Sequence, residues 1–272
     1  MIPAALRYER ATSVEHTLDL LGEHGEDAKV LAGGHSLIPL MKFRFAAPEV
    51  LIDIGPIADL SYVREVGEEI AIGALTRYRD LHTNDILRAH LPLLAEVAGA
   101  IGDPQVRNRG TIGGSIAHAD PAGDLPAATL ACDAVFVVRG PQGIREIAAE
   151  DFFLGPFTTP LEPDELLTEI RVPKLTGIGW GFEKFSRRAI DWAIVGVVAV
   201  GGAVALINMG GAPVRAAATE AAIAAGAGAE EAGALAAEDT NPAEEPHATA
   251  AYRRALARVL TTRALVKARS AS

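Results

Sequence analysis

The run WAIVGVVAVGGAVALINM, Trp192 to Met209, constrains the fold more than any other stretch of this chain. Its length lies near the lower limit for a membrane-spanning helix. It is, however, rich in β-branched residues and split at its centre by Gly201-Gly202, the pattern of two buried strands joined by a tight turn. The expectation is a hairpin, not a span. A chain of 272 residues with 49% hydrophobic composition can bury a substantial core around such a hairpin, enough for two or three small domains. The opening residues, MIPAALRYERATS, lack the charged start and apolar segment of a secretory signal.

A net charge of −10 and a pI near 5.2 argue against a nucleic-acid partner, because phosphate backbones require a basic face. If an anion binds, backbone donors must hold much of it. The single cysteine, Cys132, lies in the apolar stretch LPAATLACDAVFVV and reads as a small buried hydrophobe. One thiol cannot hold an iron–sulfur cluster.

Along the chain, Ser13 reads as the N-cap of a helix with Val14, Leu18 and Leu21 on one face, ended by Gly22 and Gly25. AKVLAG is then a short strand entering a glycine turn, followed by a short helix, a break at Pro48 and a strand from Val50 to Ile54. Strand, crossover and strand at this distance predict a small parallel βαβ layer. Two short strands around Gly67 and a helix after Thr76 follow, and LPLLAEVAGAIGD forms another helix. Next comes DPQVRNRGTIGGSIAHADPAGDLP, read as one long polar loop. AVFVVRG and IREIAAEDFF are strands around a turn at Pro141 to Gly143, and ELLTEIRVP closes the section. Beyond the hairpin lie a short strand into GGAPVR and alanine-rich helices. The tract EEAGALAAEDTNPAEEPHATAAY is either an acidic connector or a helix and a loop, and the closing AYRRALARVLTTRALVKAR is an amphipathic helix.

Two glycine-rich segments stand out. In Ala32-Gly33-Gly34-His35-Ser36, glycine permits positive φ and leaves space for a ligand, so successive N–H groups can converge on an anion, with the Ser36 hydroxyl beside them. The segment is neither a P-loop nor a GxGxxG fingerprint, and an empty turn is the competing reading. The second, Gly110 to Asp124, repeats the idea with Thr111, Gly113, Gly114 and Ser115, and adds the carboxylates Asp120 and Asp124. For Asp120 the alternative is a turn cap before Pro121. Donor-rich loops plus carboxylates suit a ligand with a diphosphate centre and hydroxylated arms.

AGGHSLIPLMK, TIGGSIAHADPAGDLP, ELLTEIRVP and FEKFSRR occur in the order and approximate spacing of a known family. Across nearly its whole length the chain resembles the FAD-binding medium subunit of the molybdenum hydroxylases, the xanthine dehydrogenase and aerobic carbon monoxide dehydrogenase family, with the carbon monoxide dehydrogenase branch closest. The resemblance implies an α+β fold of the vanillyl-alcohol oxidase (PCMH) type. Its units would be an N-terminal βαβ subdomain (1–55), a second FAD-binding subdomain (56–173) and a small α+β C-terminal domain (174–272). It implies FAD contacts from Ala32, Gly33, Gly34, His35, Ser36 and Leu37, and from Thr111, Ile112, Gly113, Gly114 and Ser115. His118, Asp120 and Asp124 would approach the cofactor's polar portion, and Ile101, Leu166 and Leu167 its apolar surroundings. Lys184 matches more loosely, with an exposed strand lysine as the alternative, and Trp192 is expected to pack in the core rather than to cover the flavin. Ser115 departs from the asparagine many relatives carry after TIGG, which shortens that side chain's reach.

By the same resemblance, a large subunit holds the molybdenum cofactor and a small subunit carries two [2Fe–2S] clusters, arranged as a dimer of heterotrimers. FAD in this chain would pass electrons to an external acceptor, a quinone, NAD or another carrier. No catalytic residue or metal ligand is expected here, and the complex would be cytoplasmic, with contact to the inner face of the membrane. Two rival readings remain at this point: a self-sufficient flavin oxidoreductase with its own substrate site, and a nonenzymatic nucleotide-binding scaffold.

Overall fold

The computed structural model describes residues 2–270, which build three sheets with three hydrophobic cores. The first layer comprises β1 (Arg7–Arg10), α1 (Val14–His24), β2 (Ala28–Leu31), α2 (Leu37–Phe43) and β3 (Val50–Asp53). Its strands are all parallel in the order β1-β3-β2, so the expected βαβ unit is present and β1, absent from the sequence reading, adds an edge. Ser13 caps α1 by accepting from the His16 N–H at 3.1 Å. The helix runs through Gly22 and ends only at Gly25, whose φ of 52° an L side chain resists.

The second layer is longer. It contains β4 (Val63–Val66), β5 (Glu69–Gly73), α3 (Tyr78–Thr83), α4 (Asp85–His90), α5 (Pro92–Gly99), α6 (Pro104–Arg107), α7 (Ile112–His118) and α8 (Asp124–Ala131). It then returns through β6 (Val135–Gly140), β7 (Gly143–Ala148), α9 (Ala149–Phe152) and β8 (Leu166–Pro173), forming an antiparallel sheet ordered β4-β5-β8-β6-β7. The segment expected to be one polar loop is therefore mostly α6, α7 and the start of α8. Its glycines masked the helical reading, yet Asp103 caps α6 through the Val106 N–H at 2.9 Å and Thr111 caps α7 through Gly114 at 3.2 Å.

The third layer has β9 (Trp180–Phe185), β10 (Val195–Val200), β11 (Ala203–Ile207), β12 (Val214–Arg215), α10 (Ala217–Ala224), α11 (Ala229–Ala234) and α12 (Ala250–Ser270). The expected hairpin is β10–β11, turning at Gly201 and Gly202 with φ of 56° and 96°. Both faces of this hairpin are buried. Val195, Val197 and Ala199 join one core under α12, while Val198 and Val200 join the core of the second layer. Two-sided burial explains an unbroken apolar run without a membrane. Among the described residues no helix is long and apolar enough to cross one. Cys132 is buried, and burial pushes its thiol up to about 12, as expected of an inert core residue.

Candidate functional site

The first glycine segment bridges the carboxyl end of β2 and the start of α2. Gly34 holds a φ of 78°, and this left-handed step turns the chain into the helix. Among the described residues, the N–H groups of Gly34, His35 and Ser36 donate to nothing in the chain. Ser36 sits at the N-cap position without making a capping bond. Unpaired donors at a helix start, with the helix dipole behind them, form a cradle for an anion.

The second segment is wired differently. Ile112 N–H donates to the Thr76 carbonyl at 3.0 Å, Gly113 N–H to the Ala74 carbonyl at 2.9 Å, and Ser115 N–H to the Thr111 carbonyl at 3.0 Å. With Gly114 held by the Thr111 hydroxyl, the N–H groups of Ile112, Gly113, Gly114 and Ser115 are already satisfied. This corrects the expectation of two equivalent N–H cradles. The glycines here serve close packing: a Cβ on Gly113 would lie 2.5 Å from Ala74 Cβ.

The two segments nevertheless meet. A Cβ on Gly33 would come 2.3 Å from the Arg109 carbonyl oxygen, and one on Gly114 would stand 3.9 Å from Ala32 Cβ. Gly110 in turn rests on the Tyr78 ring, with its Cβ position 2.4 Å from Cε2. Tyr78 is pushed up to about 12, chiefly by burial; the Ser115 hydroxyl lowers it and the Asp124 charge raises it, which puts these three groups in one neighbourhood. Asp124 then pairs with Lys184, Oδ2 to Nζ at 2.6 Å, with side chains only 2% and 10% exposed. Lys184 is thus a buried ion-pair partner from β9, not an exposed strand lysine, and it also donates to the Ala100 carbonyl at 3.3 Å. Burial raises the Asp124 carboxyl above its ordinary value, against the opposing pull of Lys184. Its Oδ1 is buried without any hydrogen-bond partner. A carboxylate oxygen in that position accepts from a ligand hydroxyl or carries a standing desolvation cost.

The remaining expected residues lie around this axis. Leu37 opens α2, and His35 is exposed at the cradle's rim. Ile101 packs partly buried against the second-layer core, and its carbonyl accepts from Arg107 at 3.0 Å. Leu166 and Leu167 are both buried, the first in the N-terminal core and the second in the central one. His118 lies against Phe157, ring centroids 5.0 Å apart, and burial holds its imidazole below the usual value. Asp120 makes the turn cap, its Oδ1 accepting from the Ala122 N–H at 2.9 Å. Trp192 does not pack in a core. It is 56% exposed and lines a cleft of about 940 Å³ with Asp120, Phe157 and Arg253, because the loop before β10 carries it outward. Sequence reasoning included Gly110 but missed Tyr78 and the Arg109 carbonyl. The signal was a glycine directly before TIGG, but only the fold reveals the ring beneath it.

The donor set therefore fits FAD: free N–H groups for a diphosphate and an orphaned buried carboxylate oxygen for a ribityl or ribose hydroxyl. Comparison with known proteins agrees. Residues 4–175 match the family described as FAD binding domain in molybdopterin dehydrogenase, and residues 180–268 match the CO dehydrogenase flavoprotein C-terminal domain. The carbon monoxide dehydrogenase medium chain of Hydrogenophaga pseudoflava is 52% identical over 201 residues, 74% of this chain and 70% of that one. Subunit alpha of the 6-hydroxypseudooxynicotine dehydrogenase complex of Paenarthrobacter nicotinovorans is 45% identical over 201 residues, 74% of this chain and 68% of that one. A solved carbon monoxide dehydrogenase from H. pseudoflava superposes with a TM-score of 0.96 at 47% identity, covering 100% of this chain and 99% of that one. The chain belongs to the FAD-binding medium-subunit family of the molybdenum hydroxylases, as the flavoprotein subunit of an oxidoreductase with FAD as its cofactor.

Proposed function

We propose that this chain relays electrons within a heterotrimeric molybdenum hydroxylase, taking them from [2Fe–2S] clusters of a small subunit and releasing them to an external acceptor. The observation that carries the reading is the contact of Gly33 with the Arg109-Gly110 backbone, which brings the free donors of the first loop against the segment that leads to the buried Asp124–Lys184 pair. In this arrangement Gly34, His35 and Ser36 hold the diphosphate and the buried Asp124 Oδ1 accepts a hydroxyl of the bound molecule. Lys184 keeps the Asp124 carboxylate charged and oriented, and the Tyr78 ring sets the height of the second loop against the first. FAD, when bound, supplies the redox chemistry; the protein's own part is orientation and water exclusion.

The substrate belongs to the large, molybdenum-bearing subunit, since relatives of similar identity are named for carbon monoxide and for a nicotine derivative. The greater likeness to the first favours a carbon monoxide dehydrogenase-like complex, assembled as a dimer of heterotrimers. The acceptor is a quinone, NAD or another carrier. The test is FAD titration of the purified chain, followed by reduction with and without the copurified partners. Stoichiometric binding with substrate-driven reduction only in the complex supports the relay. Turnover of a donor by the isolated chain, or no FAD binding by folded chain and complex alike, would sink it.

A further inference from the structure

Most arginines of this acidic chain are engaged by carboxylates or carbonyls. Among the described residues, the side chains of Arg10, Arg44, Arg77, Arg109 and Arg263 make no hydrogen bond or ion pair. Three of them, Arg10, Arg77 and Arg109, line one polar cleft of about 360 Å³. They reach it from three places in the chain: the end of β1, and the turns before α3 and α7, which are bridged through Arg77 and Thr111. The cleft lies at the carboxyl ends of the parallel strands, bounded by Arg10 at the end of β1, Ala32 after β2, Asp53 at the end of β3 and Gly55 beyond it. Crevices outside the carboxyl ends of parallel strands are where such sheets receive ligands.

The acids facing the same cleft are Asp53 and Asp80. Asp53 is occupied by the Tyr8 hydroxyl at 2.5 Å and the Gly55 N–H at 2.9 Å, and Asp80 is paired with Arg79 at 3.2 Å. Neither is bonded to the three arginines, so the cleft keeps a positive balance in a chain of net charge −10. Three guanidiniums without partners in one concavity repel one another unless an anion joins them. Their forked N–H groups match phosphoryl oxygens best.

We infer that this cleft is a phosphoryl-binding site, formed by Arg10, Arg77 and Arg109 beside the contact between the loops. It borders Ala32 and Thr111 but is not lined by Gly34, His35 or Ser36, so it is separate from the N–H cradle assigned to the diphosphate. Its ligand carries one or two phosphoryl groups, and its volume admits a nucleoside diphosphate. Two sources share that chemistry: the single diphosphate of FAD, which would then lie here and not in the cradle, or a separate nucleotide bound while FAD is in place.

The test is calorimetric titration of the full chain, with and without FAD, using ADP and inorganic pyrophosphate as probes. Wild type, Arg77→Gln, Arg109→Gln and the double variant are compared, with Arg263→Gln on α12 as a control. Each cleft substitution should weaken probe binding about tenfold, and added salt should weaken it further, while Arg263→Gln has no effect. Unchanged melting temperatures would verify that these partnerless arginines were not holding the fold. Binding to the FAD-loaded chain assigns the site to a second nucleotide, whereas binding only to the FAD-free chain, displaced by FAD, assigns it to the cofactor's own phosphates. No probe binding in either form, or binding indifferent to both substitutions, overturns the inference. So does a loss confined to assembly with the partner subunits, because the arginines would then be contacts for an acidic protein surface.

Discussion

The two glycine segments look alike in sequence and behave as opposites in the fold. The first, Ala32 to Ser36, leaves its N–H groups free and its serine uncapped, so its backbone is available to a ligand. The second, Thr111 to Ser115, spends its N–H groups on Thr76, Ala74 and Thr111 and uses glycine to let α7 lie against the end of β5. In the first, Gly33 admits the Arg109 backbone and the positive φ of Gly34 turns the chain so that its donors stay free, as the proposed diphosphate site requires; in the second, glycine serves packing that places Ser115 and Asp124. A shared motif therefore does not imply a shared role, and each loop should fail in its own way when altered.

The largest effect is expected where the loops touch. Gly33→Val drives a branched side chain into the Arg109 carbonyl, 2.3 Å from the Cβ position, and separates the donors from Asp124. FAD affinity should fall at least about a hundredfold, ~3 kcal/mol. Equilibrium dialysis against FAD, with circular dichroism as a check on folding, would measure it, and retained affinity would remove the loop contact from the site.

Next in size is the buried pair at the far end of the axis. Asp124→Asn leaves the Lys184 charge at 10% exposure without its carboxylate, with only the Ala100 carbonyl beside it, which should destabilise the chain by about 3–5 kcal/mol in denaturant unfolding. The double change Asp124→Leu with Lys184→Met should recover most of that stability and none of the FAD affinity. If affinity also returned, Asp124 would be scaffold only, and its orphaned Oδ1 would need another explanation.

Much of this arrangement could be read from residues alone. The hairpin at Gly201-Gly202, the parallel layer around AKVLAG and the terminal helix all carry local signals: β-branched runs, turn glycines and helical periodicity. What escaped was decided by distant contacts. Helix α7 was hidden because its two glycines have poor helix propensity, and tertiary hydrogen bonds to Ala74 and Thr76 outweigh that. Lys184 was ambiguous because only the fold brings β9 beside the start of α8, and Trp192 was misplaced because hydrophobicity alone does not say which side of a loop faces out. No local pattern announces that Tyr78 lies under Gly110, thirty-two residues on.

A smaller pair of changes sharpens the contrast directly. Ser36→Asp puts a carboxylate among the free N–H groups, where it should cap α2 and gain up to about 1 kcal/mol of stability while excluding the diphosphate. Thr111→Ala removes the cap on α7, which should cost about 1 kcal/mol of stability with only a slight change in FAD affinity. Melting temperature and FAD affinity thus move in opposite senses in the first variant and with unequal weight in the second. The same ranking of the two readouts in both variants would mean that the loops are equivalent after all.

The smallest expected effect follows from His118 at the end of α7. Burial lowers its imidazole, with Asp120 opposing and Lys29 assisting, so the folded chain takes up a proton less readily than the unfolded chain, whose value lies near about 6.5. The sign follows from linkage. Above that unfolded value both states are neutral at this site and its contribution to stability is complete; as the pH falls through the lowered folded value, the unfolded state gains the proton first and that contribution is lost. Melting temperature between pH 7.5 and 5 should therefore decline with acidification by a component that His118→Gln abolishes. If the second loop acts as scaffold, the variant's FAD affinity at pH 7.5 should stay close to that of the parent chain. A His118→Gln variant that keeps the acid-side slope but loses FAD would move His118 from the scaffold to the cofactor's surroundings, and would weaken the division of labour between the loops.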